Sequence, residues 1–590
     1  MTTVNLDDRS VQAPRLEPVA KTGLLERLLA RDYVVRLLSV VSGLLLWELI
    51  GSHYPYSMSS PWGVVRAINK YLSPQVLPAG LQTLRTFSLG FAICIVAGIP
   101  IGLAMARIKF FRIALEPYVM TLNSMPMLAI FPLLIIGFGI GIQLRVVATV
   151  LFGIFPVIVN TLVGASRVDF NLEDVGRSFV ASGWKRLTTF IFPGSLDYIF
   201  TGVRVGFGHA MIGTIVIELE ASMVGFGSLL QQYSQYLELG AFFLVVMILG
   251  TFSILFSICL RRFQRWATKP WERSHRLVER RERTSATRVA RGGSPYCTVS
   301  NFKEWCVSAV RAVSRALGPL WSLLGGPYRV VAACGRFLTG RVTAWILRAA
   351  ILAGIILLWQ RLSLSESQAV MPAPRAFVKA FYKLSFQTGA VWGPLGTSLI
   401  LFFSGFLASV VIGIPIGLLM GRFRLVALAL DPYVSFLYGL PIVVFVPIFV
   451  IWLGFGFNFG LAFVIVSAVW VVIINTMQGV LSVSPDLIDA GRSFCATERK
   501  IMRTIVIPST VPFVIAGARL AFSVSWIGVI VSEVISSETG LGGMISSYAT
   551  AFLQADMVVP ITYIAVISVV LLTMANEFAP RLTPWAIVKQ

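Results

Sequence analysis

The chain has 590 residues, of which 56% are hydrophobic and only 13% charged, with a mean hydropathy of +0.81. A soluble protein carries about 25% charged residues, so this much apolar side chain has no place in one or two water-solvated cores and calls for lipid as solvent. Runs such as 90–106 and 241–260 are continuous rather than alternating, which excludes an outer-membrane barrel and leaves an all-α polytopic membrane protein.

In chain order, residues 1–33 are polar and read as a cytoplasmic tail, with no cleavable signal. Six apolar runs follow, near 34–51, 84–106, 116–137, 145–165, 198–220 and 240–260, within a first membrane domain at 34–262. A basic linker at 263–342 leads to a second membrane domain at 343–580. Its runs lie near 343–361, 399–420, 430–455, 459–481, 512–534 and 557–578, and a short tail, 581–590, ends the sequence. Each run has a length that crosses a bilayer as a helix.

The two domains are copies at an offset of 315. Pro100, Gly102, Met105 and Arg107 recur as Pro415, Gly417, Met420 and Arg422, and Pro117, Pro126 and Pro132 as Pro432, Pro441 and Pro447. Arg177, Ser178 and Phe179 recur as Arg492, Ser493 and Phe494, while Gly202, Arg204, Glu218 and Gly225 recur as Gly517, Arg519, Glu533 and Gly540. With about six spans in each copy, the repeats are parallel, related by an axis along the membrane normal.

Lys and Arg outnumber Asp and Glu by 49 to 27, a net charge of +22. The excess sits between the apolar runs, in the N-terminal segment and after runs 2 and 4 of each copy. The acidic Glu220, Glu238, Glu538 and Asp556 follow run 5. That is the positive-inside pattern rather than a nucleic-acid footprint, and it puts the basic side and both termini in the cytoplasm. The linker is a cytosolic positive-inside segment, with an interfacial amphipathic stretch within 301–340. The six cysteines form no C-x-x-C pair, so neither a metal site nor a disulfide framework is expected.

The connection after run 4 is about thirty residues long, helix-compatible and mixed apolar and charged. It reads VDFNLEDVGRSFVASGWKRLTTFIFP in one copy and VSPDLIDAGRSFCATERKIMRTIVIP in the other. A joining loop need not be so long, and apolar residues facing water point to a soluble partner. The segment resembles the cytoplasmic "EAA" loop of ABC importer permeases, roughly E-A-A-x-x-x-G followed by I-x-L-P. The flanking stretches FPVIVNT and IVIELEASMVGFG are similar to the nitrate, sulfonate and taurine branch.

On this resemblance the acidic position falls on Asp174 and Asp489, and the second small residue on Gly176 and Gly491. Arg177, Phe179, Arg492 and Phe494 lie within the loop. The glycine of the bend falls on Val180 and Cys495, and the closing proline on Pro193 and Pro508. The chain departs from the pattern in having Asp for Glu twice and no glycine at either bend. The resemblance implies a type I importer permease with both membrane domains fused, sited in a bacterial inner membrane. Two cytosolic ATPase subunits would grip the loops, and a solute-binding protein would deliver substrate outside. No cofactor is expected on this chain: it has no Gly-Lys dipeptide and hence no phosphate-cradling P-loop, which leaves ATP and Mg²⁺ to the ATPase partners. The competing reading is a twelve-span secondary transporter of the major-facilitator kind, also two parallel six-span halves. Its G-x-x-x-D-[RK]-x-G-[RK] loop is missing after run 2.

Glu218 and Glu533 end run 5 and are expected to sit at the membrane interface, pair locally and orient the G-x-G turns that follow, and lone His209 is expected to pack or hydrogen-bond. Divergence between the copies is concentrated in runs 3 and 5. Asn123 and Ser124 stand opposite Tyr438 and Gly439, and His209 and Ala210 opposite Val524 and Ser525, followed by Trp526. These positions are the expected substrate path, for a small anion such as nitrate, a sulfonate, taurine or bicarbonate, which polar side chains and helix N-termini could hold. If the linker is cytoplasmic, Cys297 in whole cells resists a membrane-impermeant thiol reagent and reacts after lysis; labelling of intact cells reverses the orientation.

Overall fold

A computed structural model describes residues 32–168, 186–221, 224–285, 341–365, 372–536 and 540–582, and all regular structure within them is helical. The first half contains α1 (Asp32–His53), α2 (Pro61–Tyr71), α3 (Leu77–Arg107), α4 (Lys109–Ser124), α5 (Phe131–Phe138) and α6 (Ile142–Ser166). It continues with α7 (Phe192–Glu220), α8 (Phe226–Gln235) and α9 (Leu239–Ser285). The second half repeats the order: α10 (Arg341–Ser365), α11 (Pro374–Tyr382), α12 (Trp392–Arg422), α13 (Arg424–Gly439), α14 (Val446–Leu453) and α15 (Phe457–Leu481). Two short helices, α16 (Pro485–Ser493) and α17 (Glu498–Ile501), precede α18 (Ile507–Ser536), α19 (Gly540–Thr550) and α20 (Gln554–Leu582).

Among the described residues nine helices are long and apolar enough to cross a membrane, or eleven when each bent pair counts as one span. The run expected at 343–361 lies on α10, which is not among these. The sixth run continues without a break past residue 262 to Ser285. Gln264, beyond that point, accepts from Arg204 at 3.0 Å and donates to Asp197 at 3.1 Å.

The third run of each copy is not one straight helix. α4 and α5 meet at 95°, and α13 and α14 at 93°. The prolines set the break. A residue before proline is pushed out of the α region, and Met125 and Leu440, preceding Pro126 and Pro441, take extended backbone at ψ 135° and 141°. Pro132 and Pro447 then sit in the first turn of the next helix, where a missing N–H costs nothing. Each break is closed by a short tight turn, Met127–Ile130 and Ile442–Phe445, whose Leu128, Ala129, Val443 and Val444 are almost fully buried.

The halves exchange their contacts reciprocally. The turn at Met127–Ile130 packs on α18, and the turn at Ile442–Phe445 packs on α7. α5 meets α19 as α14 meets α8, and α4 meets α20 as α13 meets α9. The first helix of each half crosses to the other. Ser39 on α1 donates to the Ala429 carbonyl at 2.6 Å and its own carbonyl accepts from the Tyr433 hydroxyl at 2.5 Å, flanked by the Arg424–Asp32 pair at 2.6 Å. Tyr118, the counterpart of Tyr433, donates to the Arg348 carbonyl of α10 at 3.1 Å.

Within each half the spans are drawn together by matched small residues. A Cβ on Gly417 would lie 2.6 Å from Thr476 Cβ and 2.7 Å from the Ile473 carbonyl oxygen. One on Gly102 would meet Thr161 Cβ and the Ile158 carbonyl oxygen, both at 2.7 Å. Close backbone approach of this kind is what holds helices together in lipid, where there is no hydrophobic drive between them. Gly417→Val should therefore force α12 off α15 and cost about 1–3 kcal/mol, read as a lower unfolding midpoint of the purified protein. An unchanged midpoint would mean the contact is slack.

Candidate functional site

Of the loop residues singled out in the first half, Asp174, Gly176, Arg177, Phe179 and Val180 lie outside the described residues; the second-half loop is described throughout. α16 begins with Pro485 in its first turn, carries Asp486 there and Arg492 in its last turn, and so opposes its own dipole at both ends. Gly491 faces inward: a Cβ there would fall 2.9 Å from Ile505 Cδ1, so its absence lets α16 lie on the following segment. Ile488 and Ile505 join Val480, Val483, Ile501 and Val506 in a small apolar cluster beneath.

The helix ends in a Schellman cap. The Cys495 N–H donates to the Arg492 carbonyl at 2.8 Å and the Ala496 N–H to the Gly491 carbonyl at 3.1 Å. The cap needs a left-handed residue, and Cys495 supplies it at φ 53°. This is the bend where the resemblance places glycine; a side chain there costs roughly 1–2 kcal/mol. The cap projects Phe494 outward, 87% exposed, with Leu487 at 51% on the same helix. Around it, Glu498 bridges Arg422, at the end of α12, and Arg492, the latter at 3.3 Å, while Asp489 pairs with Arg492 at 3.5 Å. These pairs are solvent-exposed and add little stability; they fix the loop to the end of the second span. The loop then turns into α18 with Pro508 in its first turn, as Pro193 opens α7.

At the other end of the spans, the carboxylates Glu218 and Glu533 are 0% and 3% exposed, buried within protein rather than at an interface. Each grips a G-x-G turn. Glu218 Oε2 accepts from Thr83 Oγ1 at 2.8 Å and from the Gly227 N–H at 3.1 Å, and Thr83 Oγ1 accepts from the Phe226 N–H at 2.8 Å. In the second half Ser398 Oγ donates to Glu533 at 2.7 Å, the Gly542 N–H donates at 2.9 Å, and Ser398 Oγ accepts from the Leu541 N–H at 2.9 Å. The glycines are required by geometry. Gly225 and Gly540 have φ 110° and 86°, and a Cβ on Gly227 or Gly542 would lie 2.6 Å from the glutamate Cβ. One carboxylate thus ties the second span, the fifth span and the start of the next helix together through the free N–H groups of that helix.

The expected path residues divide into two groups. Asn123 and Ser124 end α4 and are half-buried, with Ser124 Oγ turned back to the Met120 carbonyl at 2.8 Å. Tyr438, beside the matching bend, is 57% exposed, and His209 on α7 is half-buried. The turn after Asn123 and Ser124 packs on the helix carrying Ser525 and Trp526, and the turn after Tyr438 on the helix carrying His209. Ser525 and Trp526 are themselves buried, at 0% and 2%. Trp526 donates to Ser568 Oγ of α20 at 2.8 Å and lies edge-on to Phe402 at 5.6 Å, so its ring is spent inside the second half. No group of three or more metal-ligating side chains occurs among the described residues.

Two copies of one helical unit, each with a bent span seated on the other copy, make a duplicated polytopic membrane protein. The binding-protein-dependent transport system inner membrane component family matches residues 98–269 and 413–584, offset by 315 at both ends, and the chain belongs to that family. It is a duplicated and fused ABC transporter permease, a multi-pass membrane protein and a transport component rather than an enzyme; the match does not favour a major-facilitator carrier. The taurine transport system permease protein of Escherichia coli is 28% identical over 241 residues, 40% of this chain and 87% of that protein. The putative aliphatic sulfonates transport permease protein of Bacillus subtilis is 30% identical over 208 residues, 35% and 75% of the two chains. The nitrate import permease protein of a Synechocystis strain is 25% identical over 228 residues, 37% and 82%.

Sequence reasoning did not single out Thr83 and Ser398, or Tyr118 and Tyr433. The signal was present: both pairs keep a hydroxyl at the repeat offset. The two halves also allow a test of the carboxylate. Glu533→Ala leaves Ser398 and the Gly542 N–H without an acceptor, at about 1–3 kcal/mol for each group, whereas Glu533→Gln keeps an acceptor and the volume. The alanine variant should lose several degrees of unfolding midpoint and the glutamine variant much less; equal losses would mean that the charge, not the hydrogen bonds, holds the turn.

Proposed function

We propose that this chain is the whole translocation path of an ATP-driven importer for a small anion, of the class that includes nitrate, sulfonates, taurine and bicarbonate. The observation that carries the ATP-driven part is Phe494, a large apolar ring held 87% exposed by a strained cap on an otherwise anchored loop. Such a ring has a purpose when a soluble partner covers it. The partner is a pair of cytosolic ATPase subunits that supply ATP and Mg²⁺, one on this loop and one on its first-half counterpart around Asp174, Gly176, Arg177, Phe179 and Val180. A solute-binding protein serves the opposite face. Both termini and the linker lie in the cytoplasm, and the membrane is the bacterial inner membrane. The domain limits are those of the two copies, 34–262 and 343–580.

The anion class rests on relatives named for taurine, aliphatic sulfonates and nitrate, each of which carries or is an oxyanion. Asn123, Ser124, His209 and Tyr438 flank the path where each bend meets the other half's fifth span, and Ser525 and Trp526 back it from inside the second half. Uptake by a deletion strain, across nitrate, sulfonates, taurine and bicarbonate, identifies the solute; uptake of none of them removes the anion reading. Phe494→Asp places a charge in an apolar docking pocket, at a cost of several kcal/mol unless paired. That variant should insert normally, lose transport and co-purify with less ATPase. Normal transport with normal ATPase recovery would sink the assignment.

A further inference from the structure

Among the described residues, the two halves differ at a buried charged position that the coupling and path residues do not explain. Arg145, in the first turns of α6, is 7% exposed, and its Nη1 has no hydrogen-bond partner. The residue at the matching position of the second half is Gly460. A buried guanidinium is costly and is retained where something pairs with it.

Glu218 is the nearby carboxylate, close enough to feel the arginine's charge, but no ion pair joins them. Its Oε2 is taken by Thr83 and Gly227, and its Oε1 is also without a partner. Nor does that carboxylate need the arginine: Glu533 holds the same hydroxyl and the same G-x-G turn with glycine at 460. Arg145 is an addition to a structure that is complete without it.

Arg145 lines a cavity of about 260 Å³, together with Gly141, Leu144, Ile217, Ala221 and Val224. The space opens at the start of α6, the end of the spans away from the docking loop. α6 is 25 residues long, Gly141 precedes it with no side-chain cap, and its first-turn N–H groups have no partners inside the helix. The cavity is therefore small and mainly apolar, with a guanidinium and a positive helix end. Those are the ingredients of an oxyanion site.

We propose that this cavity is an oxyanion subsite, unique to the first half, where Arg145 receives the sulfonate, nitrate or similar group of the incoming solute at the outer end of the path. The inference rests on the importer reading above. Glu218, and the exposed Glu220 at the same helix end, offset part of the guanidinium's charge, so the site holds an anion weakly enough to pass it on. Fusion of the copies makes a single asymmetric subsite heritable: in a homodimer the same substitution would appear twice. A phospholipid headgroup offers the same oxyanion chemistry, and the test separates the two sources.

The full-length chain, in nanodiscs of phosphatidylcholine alone, is titrated with sodium nitrate or sodium isethionate against sodium gluconate at constant ionic strength, and its unfolding midpoint is followed. The proposal expects a saturable rise in wild type, no rise in Arg145→Gln, and in Arg145→Lys a rise with apparent affinity weakened at least threefold, because an ammonium lacks the planar fork. The lysine variant, which keeps the charge, decides the matter if the glutamine variant fails to fold. A saturable rise that survives unaltered in both variants, or no rise in wild type, overturns the proposal. A rise produced only by adding phosphatidylglycerol, and lost with Arg145, assigns the cavity to a lipid phosphate and overturns the solute subsite. In cells, Arg145→Gln should raise KM for the transported anion at least tenfold with Vmax within twofold. An unchanged KM removes the subsite and leaves the importer intact, whereas wild-type cells that import no anion count against the importer reading, with the titration still deciding the subsite.

Discussion

A helix that breaks inside a bilayer must have its freed backbone groups covered by protein, because lipid offers no hydrogen bonds. That constraint governs this molecule. Each copy contains a span bent by more than 90°, with a turn of buried residues at the elbow. Neither elbow is covered by its own half alone: the turn at Met127–Ile130 rests on α18, and the turn at Ile442–Phe445 on α7. Each half therefore completes the other, and the crossing of α1 and α10 to the opposite half extends the same dependence. One copy taken alone would leave its elbow without that cover.

The elbow also sets where polar side chains fall. Straight third spans would carry Asn123 and Tyr438 along a helix face. Broken ones end there, leaving half-buried or exposed polar side chains where the two halves meet. The buried carboxylates act at the far end of the same machinery. Each one fixes where the fifth span stops and the following helix begins, and those following helices, α8 and α19, are the ones that touch the opposite half's bent span. At the opposite end of the spans the second-half loop is anchored from two sides, by Gly491 against Ile505 and by Glu498 to the second span. The loop that carries Phe494 is thus tied to spans rather than left as a loose connection.

Fusion lets two copies of one design specialise. Shape-setting residues stay matched: prolines at the elbows, glycines at helix crossings, the glutamate with its hydroxyl and its G-x-G. Side-chain chemistry does not. Trp526 fills a core against Ser568 and Phe402, while at the matching step of the first half Met211 is 2% exposed without such a bond. Arg145 faces Gly460 across the repeat.

Much of this was legible in the residues alone. Apolar runs gave most of the spans, because a bilayer dictates their length, the run at 343–361 and the breaks in the third runs being the exceptions; the constant offset gave the duplication, because backbone-critical prolines and glycines tolerate little change. The loop after the fourth run stood out because it mixes apolar residues with charges, and in the second half Phe494 is indeed exposed. What the sequence left open was set by contacts far apart in the chain. Whether Pro126 kinks a span or ends it depends on whether another element covers the break, and that element is α18, hundreds of residues away. Whether Trp526 lines a path or fills a core depends on α20 reaching it with Ser568. The glutamates' partners, Thr83 and Ser398, lie 135 residues from them. Local pattern fixes which segments are helices and which face water; only the packed halves decide which polar atoms are satisfied.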